Sequence, residues 1–441
     1  MARHTTTLLT LTLVLASGCT LSAQNDPGPG RGPQGPAQAR PLQGLNANEL
    51  AWFNKGAEIF REVDSVSGTQ PGAAGSGLGP RFNGNSCSQC HAHPVVGGSS
   101  PRLNPQVGLA TQYGATNRVP DFIQQNGPIR VVRLVRKADG SPDGGVHALF
   151  TITGRADASG CNIAQPDFAA QVQRNNAIFR IPTPVFGGGL MEAIPDSAII
   201  ANMTASTATK QQLGIRGREN RNGNDGTLTR FGWKAQNKSL LLFAGEAYNV
   251  EQGVTNELFQ TERDETPGCN FNGAPEDHTH VDQSNPLNSI SDLTGLMQFM
   301  KYLAPPPTNP LDPSGQRGLQ AFNQLGCGMC HTQTLQTGKS SIPALDRKPV
   351  TLYSDLLLHN MGDGLADGVS QGNALGADWR TAPLWGLGAR LFFLHDGRTQ
   401  DLGVAIAAHA GRGSEANAVI NNYNALNPQA RQDLLNFLRS L

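Results

Sequence analysis

Apolar residues recur at helical spacing in four separated stretches. After Asn46, with Glu49 three positions on, Leu50, Phe53, Ala57 and Phe60 follow every three or four residues. That pattern predicts an amphipathic helix opened by a capping box, with Leu45 and Leu50 placed to staple its start. Leu296 to Leu303 and Leu434 to Leu441 carry matching apolar stripes. The fourth stretch, Gly318 to Phe322, repeats the Gly-x-x-x-Phe spacing of Gly56 to Phe60. Each Gly-x-x-x-Phe precedes a Cys-x-x-Cys-His pentad, Cys87 to His91 after a Gly-rich insertion and Cys327 to His331 directly. The chain is therefore duplicated. Ala304-Pro-Pro-Pro307, then Pro310 and Pro313, must stop the helix that ends the first copy. A β-hairpin is expected from the Val, Ile and Arg runs Ile129 to Lys137 and Val146 to Thr153, which flank the turn-rich 139–145 segment.

The start of the chain has a different character. Arg3 and His4 precede an apolar run from Leu8 to Ala16, then Ser17, Gly18 and Cys19. This is the order of a secretory signal, too short for a lasting membrane span. Leu15 to Cys19 also matches a lipobox, making Cys19 the candidate lipidated residue; ordinary cleavage beside an incidental Cys is the alternative. Residues 20–44 contain five Pro and five Gly with almost no apolar residue and read as a flexible spacer. The expected location is periplasmic, tethered by lipid alone.

Composition narrows the function. Across 441 residues, 34 Lys and Arg balance 34 Asp and Glu, which leaves no electrostatic footprint for nucleic acid.

The pentads carry the chemistry. On one helical turn, thiols at i and i+3 and an imidazole at i+4 share a face, so Cys87, Cys90, Cys327 and Cys330 can add to haem vinyl groups while His91 and His331 reach the irons. Two covalently attached c-type haems are expected. A zinc site is disfavoured because the pairs lie in separate copies. Of the seven Cys, Cys161 and Cys269 remain. An oxidising compartment favours a disulfide between them over a redox-active thiol pair.

Several stretches resemble the bacterial di-haem oxidoreductase family, often labelled peroxidase or thiol oxidoreductase, of the di-haem cytochrome c peroxidase and MauG-like superfamily. They are Gly79 through His91 to Gly98, Gly154 to Asp157, Pro184 to Pro195, Arg230 to Gln236, Asp355 to Gly368, and Pro383 through His395 to Arg398. The resemblance implies a mainly α fold of two cytochrome-c-like domains, 45–304 and 305–441, with the hairpin-containing insertion in the first. It implies an oxidoreductase in which peroxide, or dioxygen, reacts at the His91 haem while the His331 haem donates or stores an electron. A small electron-donor protein or quinol-linked cytochrome would be the partner, and hydrogen peroxide or another small molecule the substrate. A pure electron carrier and a di-haem oxygenase are the alternatives.

The resemblance also implies residue roles. Where relatives place a Met as sixth ligand of the second haem, this chain has His409, with His359 and Met361 as competitors. No His stands where relatives close the first iron; His93 is too near the proximal helix, which leaves the iron open or closed by His147, His278 or His280. Glu251, in the Glu-Gln-Gly that follows Trp233, is a candidate general acid and base, and Glu192 competes with it. Trp233 is the candidate relay between haems. Trp385 is expected against the second haem, with Arg380 and Arg398 on propionates.

Overall fold

The computed structural model describes residues 26–29 and 39–441. The signal stretch and Cys19 lie outside the described residues. Where the spacer is described it is tied down. The Arg439 guanidinium, fully buried, donates from Nε to Asp26 at 2.7 Å, and Asp26 also accepts the Leu402 N–H at 2.8 Å. A buried guanidinium requires such a counter-charge, so this part of the expected flexible spacer is held. Further along, the Leu42 N–H donates to Tyr302 O at 2.8 Å and the Leu42 side chain is buried.

Among the described residues, fourteen α-helical segments and a few two- or three-stranded sheets make the fold predominantly helical. The helices that matter for the site are α1 (Ala47–Arg61), α2 (Leu240–Gln252), α3 (Asp292–Tyr302), α4 (Pro313–Leu325), α5 (Leu402–Ala407) and α6 (Pro428–Leu438). The start of α1 is fixed as its sequence predicts: Asn46 accepts the Glu49 N–H at 2.9 Å, and Glu49 accepts the Asn46 N–H at 2.8 Å. Phe53, Ala57 and Phe60 are buried, whereas Leu50 stays 40% exposed and adds little as a staple.

The duplicated Gly-x-x-x-Phe motif has one physical job in each copy. Helix α1 packs on α3, and α4 packs on α6. At the first crossing a Cβ on Gly56 would run into the Gly295 carbonyl and the Phe299 backbone; at the second, a Cβ on Gly318 would run into the Asp433 carbonyl and Phe437. Glycine thus allows each backbone pair to approach closely. The Phe four residues on then meets its partner across the crossing: Phe60 lies 4.5 Å from Phe299 and Phe322 lies 5.4 Å from Phe437, ring centre to ring centre. The same two rings stand 6.0 Å from His91 and 6.4 Å from His331. The motif therefore sets both the helix pair and the backing of the pentad histidine.

Strand β1 (Val131–Leu134) pairs antiparallel with β2 (Val146–His147), Val132 opposite His147, and on its other edge with β3 (Ala177–Arg180). The second run expected as a strand is split, because Phe150 and Thr151 pair instead with Phe82 and Arg81. In the C-terminal part, β4 (Leu358–Asn360) and β5 (Asp378–Arg380) pair antiparallel with His359 opposite Trp379. The largest apolar cluster takes in Phe53, Phe60, Phe299 and Leu303 and reaches Leu352 and Trp385, so packing is continuous past the proline-rich stretch. No helix among the described residues is long and apolar enough to cross a membrane.

Gly56→Ala and Gly318→Ala should each lower stability by about 1–3 kcal/mol through overpacking. Gly108→Ala, where a Cβ would meet nothing within 4 Å, should be neutral. Denaturant melts followed by circular dichroism check this; equal stability of all three variants would contradict the crossing role.

Candidate functional site

Each pentad opens into a cavity. The first, about 990 Å³, is lined by Cys87, Cys90, His91, Gln106, Arg133, Arg180, Trp233, Glu246 and Glu251 among others. The second, about 1460 Å³, is lined by Cys327, Cys330, His331, His359, Met361, Arg380, Arg390 and His409 among others. Residues 87–90 form the expected short helical turn, while the second pentad tightens into a 3-10 turn over Cys327–Met329.

All four pentad thiols are free of disulfides. Burial pushes Cys90 and Cys327 up to about 12, so they are neutral thiols. His91 Nδ1 donates to Gly98 O at 3.1 Å and His331 Nδ1 to Tyr353 O at 2.9 Å. Donation from Nδ1 fixes the tautomer and leaves Nε2 as a lone-pair donor, the arrangement of a metal-bound imidazole. Burial draws both rings down to about 4 and keeps them neutral.

The two cavities offer different distal groups. Among the residues lining the first, His91 is the only imidazole and there is no Met or Lys. Glu251 stands there, near the end of α2. Burial pushes its carboxyl up to about 7 against the pull of Arg133, Arg263 and an Asn83 hydrogen bond. His147 instead meets Asp143 at 3.0 Å, His93 meets Ala389 O at 2.7 Å, and His278 and His280 stand 4.9 Å apart away from the cavity. In the second cavity His409 follows α5, and its Nδ1 donates to Ala405 O at 2.8 Å, leaving Nε2 free. His359 has no nitrogen to spare: Nδ1 meets Glu415 at 2.8 Å and Nε2 meets Asp355 at 2.9 Å. Burial works against its charge, but Cys330 and Asp355 beside it raise its pKa well above the usual imidazole value.

Trp233 lines both cavities. It sits in a tight loop closed by Phe231 and Asn237, which exchange backbone hydrogen bonds at 3.0 and 3.2 Å. The turn needs Gly232, with φ +83°, where a Cβ would strike the Gln236 carboxamide. The indole Nε1–H donates to Ile181 O at 2.8 Å. A third cavity of about 600 Å³ joins the two and is lined by Trp233, Trp385, Arg380, Arg390 and Met191, among others.

The remaining candidates separate. Arg380 is buried in the second cavity, its Nε donating to Gly232 O at 3.0 Å. Trp385 lines the joining cavity rather than the second, and its Nε1–H donates to Thr351 O at 2.7 Å. Arg398 lines none of these three cavities; it is partly exposed and pairs with Asp396 at 2.8 Å. Glu192 lines none either and accepts the Leu240 N–H at 2.8 Å, capping α2. Cys161 and Cys269 are disulfide-bonded. Arg133, Arg390 and Gln106 emerge only in three dimensions. Arg133 Nε and Arg390 Nη2 are buried with no hydrogen-bond partner, an arrangement that carboxylates of a bound cofactor would satisfy. The residues present therefore fit a haem in each cavity.

A family model described as "Di-haem oxidoreductase, putative peroxidase" matches residues 135–441. No curated protein matches the chain. The chain is similar to the solved diheme peroxidase BthA from Burkholderia thailandensis E264, at 13% identity over 90% of this chain and 86% of that one, TM-score 0.37. It is also similar to a MauG-like protein associated with microbial copper homeostasis, at 17% identity over 58% of this chain and 89% of that one, TM-score 0.30. A third similarity is to Kuenenia stuttgartiensis hydrazine synthase, at 17% identity, covering 36% of this chain and little over half (56%) of that one, TM-score 0.23. All three are distant likenesses.

Infrared difference spectra across pH should show protonated carboxyl intensity that disappears as pH rises through about 7, the value to which burial raises Glu251, Glu276 and Asp277, and Glu251→Gln should remove one component of it. A band unchanged in that variant would assign the titration elsewhere.

Proposed function

Since the chain belongs to the di-haem oxidoreductase family, matched over residues 135–441, it is an oxidoreductase, and we propose that it is a two-centre peroxidase with one covalent haem in each half. Cys87, Cys90 and His91 hold the first haem within 45–304; Cys327, Cys330 and His331 hold the second within 305–441. His409 would hold the second haem together with His331, and two imidazoles would suit that centre to storing an electron. Arg133 and Arg390 take propionates on their unpartnered nitrogens.

One observation carries the reading: the His91 cavity contains no second imidazole, Met or Lys but does contain a buried carboxyl poised at about 7. A haem held there would supply the Lewis acid and redox equivalents for breaking an O–O bond. Glu251, as carboxylate, takes the proton from the near oxygen of hydrogen peroxide and returns it to the departing oxygen as water forms. Its elevated pKa makes both steps accessible near neutrality. The Arg133 guanidinium faces the same cavity and favours the carboxylate form. Gln106 fixes the wall, accepting the Arg130 N–H at 3.0 Å and donating to Arg130 O at 3.0 Å. Trp233 passes electrons between the centres. Its Nε1–H is held by a carbonyl, which cannot take the proton, so the indole gives up and regains an electron without proton transfer.

The chain is exported to the periplasm and tethered through Cys19, and a small electron-donor protein or quinol-linked cytochrome re-reduces it.

Glu251→Gln should slow peroxide cleavage by about 10²–10⁴-fold while leaving peroxide affinity nearly unchanged in stopped-flow traces. In the unaltered protein the rate should climb as pH rises through about 7, because the carboxylate is the competent form; the variant should lose that limb. Normal cleavage with the limb intact would remove Glu251 from the reaction.

A further inference from the structure

Trp233 is not the only indole between the two halves. Trp379, on β5, meets it edge to face with ring centres 6.4 Å apart, and His395 stacks on Trp379 at 3.8 Å. A vacancy on Trp233 could therefore reach Trp379 by a short hop. Trp379 also lines the second cavity, and its neighbour on β5, Asp378, pairs with Arg218, whose side chain is 40% exposed. Escape by this route would waste oxidising equivalents.

The surroundings of Trp379 oppose that hop. Lys234 Nζ sits 4.1 Å from its ring centre and the Arg180 guanidinium 5.3 Å. Both cations are buried and share a single carboxylate, Asp367, at 3.1 and 2.6 Å. The triad thus keeps one net positive charge beside the indole. Three backbone carbonyls, those of Leu375, Gly376 and Asp378, hold the Lys234 ammonium in place at 2.8 to 3.1 Å. The stacked His395 ring is kept neutral by burial and by Arg398, Arg180 and Lys234, so no charge on it offsets the cations. A neutral indole enjoys cation–π attraction, whereas an indole that has lost an electron is repelled at the same distance. Its Nε1–H donates to Leu365 O at 2.9 Å, which cannot relieve the charge by accepting the proton. Around Trp233 the balance differs: Arg390 stands at 5.9 Å, farther away, and has an unpartnered Nη2 for a propionate.

We propose that Lys234 and Arg180 form an electrostatic stop on Trp379, confining the oxidising equivalents left by peroxide to Trp233 and the haems. The inference rests on the relay reading of Trp233. Leakage would move one electron from the Trp379 indole to oxidised Trp233, restoring the latter and leaving a cation on Trp379. A second electron lost, with water supplying oxygen and two protons released, would give a hydroxylated indole while the two equivalents from peroxide are consumed.

The test treats holoprotein with hydrogen peroxide and no reductant, following the lifetime of the oxidised spectrum and mapping indole oxidation by peptide mass spectrometry. The unaltered protein should keep Trp379 unmodified, and Trp379→Phe should leave the lifetime unchanged. Lys234→Met should shorten the lifetime about tenfold or more and add oxygen to Trp379, and the double variant should restore the original lifetime. A hydroxylated Trp379 in the unaltered protein, or a changed lifetime in Trp379→Phe alone, would overturn the stop even if Lys234→Met fails to fold. A peroxide-induced spectrum whose lifetime is the same in Lys234→Met would overturn the stop alone. No peroxide-induced spectrum in any protein would overturn the peroxidase reading and the stop with it.

Discussion

Trp233 can line two cavities at once only because three hydrogen bonds join backbone from distant parts of the chain around it. Its indole donates to Ile181 O at 2.8 Å, the Arg380 N–H donates to Trp233 O at 3.0 Å, and the Ile181 N–H donates to His395 O at 2.8 Å. Residues 181 and 233 belong with the first pentad, 380 and 395 with the second. Each bond contributes only about 1 kcal/mol, but together they fix one ring between two sites without leaving a buried donor unsatisfied. Loss of that register would separate the cavities even if both pentads remained folded.

Around this joint the two halves use the same packing in different service. In each, a glycine crossing brings two helices together and a phenylalanine four residues on stands beside the pentad histidine. The distal sides then diverge. The first cavity holds a neutralisable carboxyl and a single imidazole; the second holds His409 as well as His331 and ties His359 between two carboxylates. Common scaffolding with unequal distal groups is what a reactive centre and an electron store would require.

What the sequence revealed follows how local the physics is. The capping box at Asn46 and the two pentads depend on residues three or four apart and were legible; the Gly-x-x-x-Phe repeats were legible as a duplication, but not the crossings that Gly56 makes with Gly295 and Phe299 and Gly318 with Asp433 and Phe437. Trp233 and Glu251 were legible as candidates through resemblance. Glu192 stood as the competitor because its Gly-rich turn gives no sign that the carboxylate is engaged by Leu240, 2.8 Å away but on another element. Arg398 looked like a propionate partner, yet Asp396 two residues earlier holds it at the surface. Arg133, Gln106 and Arg390 come from a strand, a short helix and a loop that only folding brings together, and no spacing in the chain marks them. Lys234 did adjoin a highlighted tryptophan, but its significance depends on Asp367 and Trp379, both far off in sequence.

The central claim is that two metal centres sharing Trp233 differ in having one vacant face between them. Electron paramagnetic resonance of the fully oxidised holoprotein tests it most directly. The account predicts a high-spin ferric signal and a low-spin ferric signal in equal amounts, the first lost when His91 is replaced and the second converted to high spin when His409 is replaced. Two low-spin signals and no high-spin component would contradict it.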